Sequence, residues 1–179
     1  MQRRLTAGAQ YSINAAITMA FNNSKLPKQQ FSVVVELDAP IEQCFAASMS
    51  EDAMMHWVPS PKSIVYDNSK ASEPYGAGSE RLITVRFGFS LVERIHISDK
   101  PTFLAYNIPT FGFVGDWMIE NYQGRMTFEA IDRKRTRLRW VGYFDSNGLA
   151  KHTEPFIAAV IETLISIMAN KLKKYLAGK

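Results

Sequence analysis

Two ionisable residues stand where apolar side chains are expected. In the run Ser90–Ser98, Glu93 alternates in phase with Leu91, Ile95 and Ile97, so on a strand it points where they point. A carboxylate on an apolar face is costly unless a cation meets it. Arg81–Phe87 faces that run across Gly88 as a hairpin. Pairing Ile83 with Glu93 sets Arg81 on the same face, diagonal to Glu93. Arg81 and Glu93 then form either a polar element that orients a ligand hydroxyl or carbonyl, or a structural ion pair at the rim. A one-residue slip of register would put them on opposite faces. Glu120 poses the same question on Met118–Ile131, where alternation gives it the face of Met118, Tyr122, Met126 and Phe128. Proton transfer inside an apolar hollow requires groups of this kind, and Glu93, Glu120 and Tyr122 are the candidates.

Other reactive types are poorly placed. His56, His96 and His152 are far apart, with no His-x-x-x-His spacing, so neither a metal nor another cofactor is expected. There is no Gly-x-Ser-x-Gly elbow. The single cysteine, Cys44, falls on the apolar stripe of a helix and excludes an internal disulfide framework. Arg133, Lys134, Arg135, Arg137 and Arg139 cluster at a hairpin end and read as a solvated tip, with contact to an acidic partner or a membrane headgroup as the alternative.

These residues need a scaffold. Phe31–Leu37 alternates as a first strand, Asp38-Ala39-Pro40 opens a helix, and Ser50 caps a second short one before Pro59 and Pro61. Ser63–Asp67, the hairpin, Phe103–Ile108, Met118–Ile131 and Arg135–Phe144 read as further strands. The chain closes with a helix over Thr153–Leu176, whose stripe Ile157, Ile161, Leu164, Met168, Leu172 and Tyr175 recurs at steps of three and four. Six successive strands with short connections make an antiparallel sheet, and the long helix is where that sheet buries its inner face. The fold class is therefore α+β, a curved antiparallel sheet around a C-terminal helix.

Charge narrows the partners. The whole excess of +4 lies in the first 30 residues, which hold Arg3, Arg4, Lys25 and Lys28 and no acid. The domain of residues 31–179 is neutral, without the basic face that nucleic acid requires. In residues 1–30, Leu5, Ala9, Ile13, Ile17 and Phe21 recur at helical spacing. This extension reads as an amphipathic helix packed on the domain, with peripheral membrane contact or organelle targeting as alternatives. No run reaches the ~20 uninterrupted apolar residues of a membrane-spanning helix, and a single cysteine suits a cytoplasmic protein. The oligomeric state is left open.

The helix pair after the first strand, Gly76-Ala77-Gly78-Ser79-Glu80-Arg81, Leu91-Val92-Glu93-Arg94-Ile95, Asp99-Lys100-Pro101, Leu104-Ala105-Tyr106 and Thr136-Arg137-Leu138-Arg139-Trp140 together resemble the START-related (SRPBCC) superfamily. The likeness is strongest to its polyketide cyclase/dehydrase-like and birch-pollen-allergen-like branches and covers about residues 31–176. It implies a helix-grip fold, seven strands gripping the terminal helix over an apolar cavity. It also implies a hydrophobic ligand such as a lipid, sterol or polyketide. The expected lining is Arg81, Glu93, Leu104, Tyr106, Met118, Glu120, Tyr122, Met126, Trp140, Phe144, Ile161, Leu164 and Met168. Phe111 and Phe113 stand at the entrance, where glycines permit movement. The leading expectation is a non-catalytic carrier; an aromatase/cyclase-like enzyme and a regulator of partner proteins are the alternatives.

Overall fold

The structure, a computed structural model, describes residues 27–86, 88–111, 116 and 118–178. Its strands are β1 (Gln29–Leu37), β2 (Pro61–Asp67), β3 (Glu80–Val85), β4 (Ser90–Asp99), β5 (Phe103–Thr110), β6 (Ile119–Ala130) and β7 (Thr136–Ser146). Two short helices, α1 (Ile41–Met49) and α2 (Glu51–Trp57), separate β1 from β2, and a 3-10 turn (Gly148–Thr153) leads into α3 (Glu154–Ala177). All seven strands join one antiparallel sheet in the order β1-β7-β6-β5-β4-β3-β2. The expected α+β helix-grip architecture is therefore present. The readings of residues 1–26 as a helix and of Phe113 as a cover lie outside the described residues.

Local chemistry explains the joints. The Ser50 hydroxyl accepts from the Ala53 amide at 3.4 Å and starts α2, with Glu51 and Asp52 at its positive end. Where β1 turns into α1, the Thr136 hydroxyl donates to the Ala39 carbonyl at 2.8 Å and ties the corner to β7. Register shifts interrupt β4–β5 between Val92 and Arg94 and between Ile95 and Ile97, and β6–β7 between Glu120 and Gln123. Such bulges bend and twist their strands, which turns the inner face concave.

Helix α3 lies chiefly along β1. One flank reaches β1's end, where Lys173 approaches Asp38 at 3.9 Å; the other meets α2, where Tyr175 stacks on His56 at 5.2 Å. Its buried line is Ile157, Ala158, Ile165, Ala169, Leu172 and Leu176. This corrects the expected stripe at Leu164, which is 47% exposed, while Ile161 and Met168 are half-buried. The helix is apolar over a wider arc than the sheet covers, so sequence periodicity alone did not select the buried edge.

Candidate functional site

The inner face of β3 and β4 carries the two charges. Arg81 pairs directly with Glu93 and Ile83 with Leu91, two residues from the Ile83–Glu93 pairing. An even shift preserves the face, and both charges point inward, Arg81 2% and Glu93 6% exposed. Arg81 Nε donates to Glu93 Oε2 at 2.6 Å, and a terminal guanidinium nitrogen bridges the same oxygen. The other terminal nitrogen reaches the Tyr66 hydroxyl at 2.7 Å, the Ser48 carbonyl at 3.2 Å and Met54 Sδ at 3.1 Å. Tyr66 passes the chain on, donating to the Met49 carbonyl at 2.8 Å. Burial alone would favour neutral Arg81, but the adjoining Glu93 carboxylate overrides it and raises the guanidinium above its usual range. Burial likewise raises the Tyr66 phenol, with Arg81 opposing. The guanidinium is thus spent on α1, α2 and β2, and it holds Glu93 in place.

Ser48, Met54 and Tyr66 were not among the expected site residues. Alternation with Ile64 in β2 was the available signal for Tyr66. A main-chain acceptor such as Ser48 leaves no mark in a sequence.

Beside this pair stands an aromatic group. Tyr106 on β5 lies opposite Gly124 on β6, and its ring occupies the space where a Gly124 Cβ would go; only glycine lets the ring lie flat on the strand. The Tyr106 hydroxyl accepts from Trp140 Nε1 at 3.1 Å. Trp140 meets Trp57 edge-on at 6.2 Å. Tyr122 touches Phe111 edge-on at 5.3 Å and stacks on Phe144 at 6.3 Å. Burial pushes both phenols well up; Glu93 raises them further, with Tyr122 also acting on Tyr106 and a Tyr106 hydrogen bond easing Tyr122. Each therefore stays protonated at neutral pH, able to donate.

Of the expected lining, Arg81, Glu93, Leu104, Tyr106, Tyr122, Met126, Trp140 and Phe144 are buried. Met118, Phe111, Ile161 and Met168, with Val85 and Leu91, are half-buried apolar residues bordering that core. Glu120 is corrected. It is exposed, because Asn121 adopts a positive φ of 55° in the β6 bulge and breaks the alternation before Tyr122. Glu120 instead borders an open polar cleft of about 410 Å³ with Asp145, Ser146, Asn147, Lys151 and Glu154. Among the described residues no three His, Cys, Asp or Glu side chains form a metal-binding group.

Comparison with known proteins places this geometry. The profile of the family described as polyketide cyclase / dehydrase and lipid transport matches residues 28–177. No curated protein sequence matches the chain. Among solved structures, a START superfamily protein from Mycobacterium smegmatis superposes with a TM-score of 0.67 at 10% identity, covering 83% of this chain and 97% of its own. An aromatase/cyclase from Streptomyces gives 0.64 at 14% identity over 82% and 92%. Norcoclaurine synthase from Thalictrum flavum gives 0.60 at 12% identity over 87% and 97%. At these identities the likeness is one of fold.

Proposed function

The chain belongs to the polyketide cyclase / dehydrase and lipid transport family, and on that premise we propose that it binds a hydrophobic, ring-containing small molecule between the sheet and α3 without transforming it. One observation carries this reading. Glu93, Tyr106 and Tyr122 are buried on neighbouring strands of the sheet's inner face, and half-buried apolar residues form a rim around the core, Phe111 among them against Tyr122. An apolar lining with a few fixed polar groups is the usual make-up of a small-molecule site. The rim would supply affinity, each 100 Å² of apolar ligand surface removed from water contributing about 2.5 kcal/mol before the costs of association. Tyr122 would donate to a ligand carbonyl or hydroxyl, and Glu93 would accept from a hydroxyl. Arg81 acts through Glu93, as a positioning residue.

Displacement of an apolar fluorescent probe by a panel of aromatic ketones and phenols tests the reading. The expected result is saturable binding at one site, weakened about tenfold by Tyr122→Phe for ligands bearing a carbonyl or hydroxyl, but not for pure hydrocarbons. Probe binding that is unsaturable, or unaffected by both Tyr122→Phe and a bulky Leu91→Trp, would refute it.

A second reading is favoured by the closeness of a carboxylate to two phenols on one apolar face: an aromatase/cyclase-like enzyme in which Glu93 takes up a proton and Tyr122 polarises a carbonyl. Turnover of a poly-β-ketone analogue that disappears in Glu93→Gln would select it over carriage alone.

A further inference from the structure

Helix α3 has a second apolar line that the fold leaves uncovered. Phe156, Val160, Leu164 and Ile167 step by four, four and three residues, so they run along one flank. They are 71%, 43%, 47% and 44% exposed. The same spacing continues into Lys171 and Lys174, both exposed. The stripe is about 27 Å long, apolar over its first three turns and cationic over its last. The two carboxylates of α3 lie off it. Glu162 is two residues from both Val160 and Leu164, hence on the opposite side of the helix, and Glu154 pairs with Lys28 at 2.9 Å. That pair, with the Phe144 amide donating to the Lys28 carbonyl at 3.1 Å, holds Lys28 at the start of α3.

The helical run Ala150–Ala177 is long and apolar enough to cross a membrane by length and composition only, and its Ile157–Leu176 line is part of the protein's core. Its membrane-like length and composition therefore do not make it a span. We propose that the stripe docks α3 flat on an anionic lipid bilayer, with Phe156, Val160, Leu164 and Ile167 at the boundary of headgroups and acyl chains and Lys171 and Lys174 against lipid phosphates. The charges choose this occupant. A second copy of the stripe brings no carboxylate to the lysines. Residues 1–26 bring none either, since Arg3, Arg4 and Lys25 are their only charged side chains. A bilayer offers an apolar layer and a negative surface together. The docking concerns the outer flank of α3 and stands apart from the ligand reading, which concerns its inner face.

Flotation of the full chain with vesicles tests this without any ligand. Vesicles of phosphatidylcholine mixed with phosphatidylglycerol should carry the protein, and phosphatidylcholine alone should carry much less. Val160→Glu with Ile167→Glu should cut the bound fraction at least about tenfold, and Lys171→Gln with Lys174→Gln should cut it about fivefold per lysine on anionic vesicles only. All four positions are exposed, so circular dichroism and Tm of both variants should match the parent. A parent chain that does not float contradicts the proposal, whether a second copy (read by light scattering) or the N-terminal segment occupies the stripe. So does a glutamate variant that floats as well as the parent.

Discussion

Removing the Glu93 carboxylate would leave a guanidinium in an apolar interior, with its remaining bonds fixed to Ser48, Met54 and Tyr66. Breaking one half of such a pair costs about 3–5 kcal/mol, whereas replacing both halves by apolar residues of similar volume is often neutral. Urea denaturation should therefore find Glu93→Ala destabilised by that amount and Arg81→Met/Glu93→Leu close to the parent. A double variant that is stable but no longer prefers hydroxylated ligands would separate the structural role of the pair from the binding role of Glu93. The phenols give a pH prediction. Tyr66, Tyr106 and Tyr122 have folded pKa values raised chiefly by burial, so above about pH 10 the unfolded chain releases protons that the folded chain keeps. Their contribution is complete below pH 10 and is lost as pH rises beyond it. Ultraviolet titration should show Tyr66, Tyr106 and Tyr122 ionising only as the protein unfolds; ionisation of these three near pH 10 in the folded protein would contradict the burial.

Among elements, the strands were the most legible. Alternation marked the first strand and placed Glu93 inward with Ile95, runs between turn residues marked the others, and the helix-grip fold was what the family resemblance implied. Glu120 was misplaced because a bulge has no signature in alternation: Asn121 interrupts the strand without any change in residue pattern. Leu164 was misplaced for the opposite reason, an excess of signal. Two apolar lines fit α3 equally well, and only contact with β1 and α2 decides between them. Truncation distinguishes the lines: Leu172→Ala, at a fully buried position, should cost about 2–5 kcal/mol, and Leu164→Ala less than about 1 kcal/mol. The β5–β6 contact makes a related demand. Gly124→Ala places a methyl group in the Tyr106 ring and should cost about 1–3 kcal/mol, with relief in Gly124→Ala/Tyr106→Leu.

At the scale of the molecule, the fold is a bent sheet whose hollow holds α3 and one core, with half-buried apolar residues packed against that core. Trp57, Met54, Leu104, Met126 and Leu138 are among its most deeply buried side chains, and Leu91, Phe111, Ile161 and Met168 are among the half-buried ones. The family resemblance carried by short motifs such as Gly76–Arg81 and Asp99–Pro101 foretold this architecture. It did not specify which polar groups meet, because Tyr66 and the Ser48 carbonyl come from elements distant in sequence. Occupation of the hollow by an apolar guest is the central claim, and native mass spectrometry of freshly purified protein tests it most directly. The account predicts a mass above that of the chain by a single small molecule, lost on collisional activation or solvent extraction and restored by an aromatic ketone at one-to-one stoichiometry. A bare chain mass that no member of an apolar ligand panel shifts would contradict it.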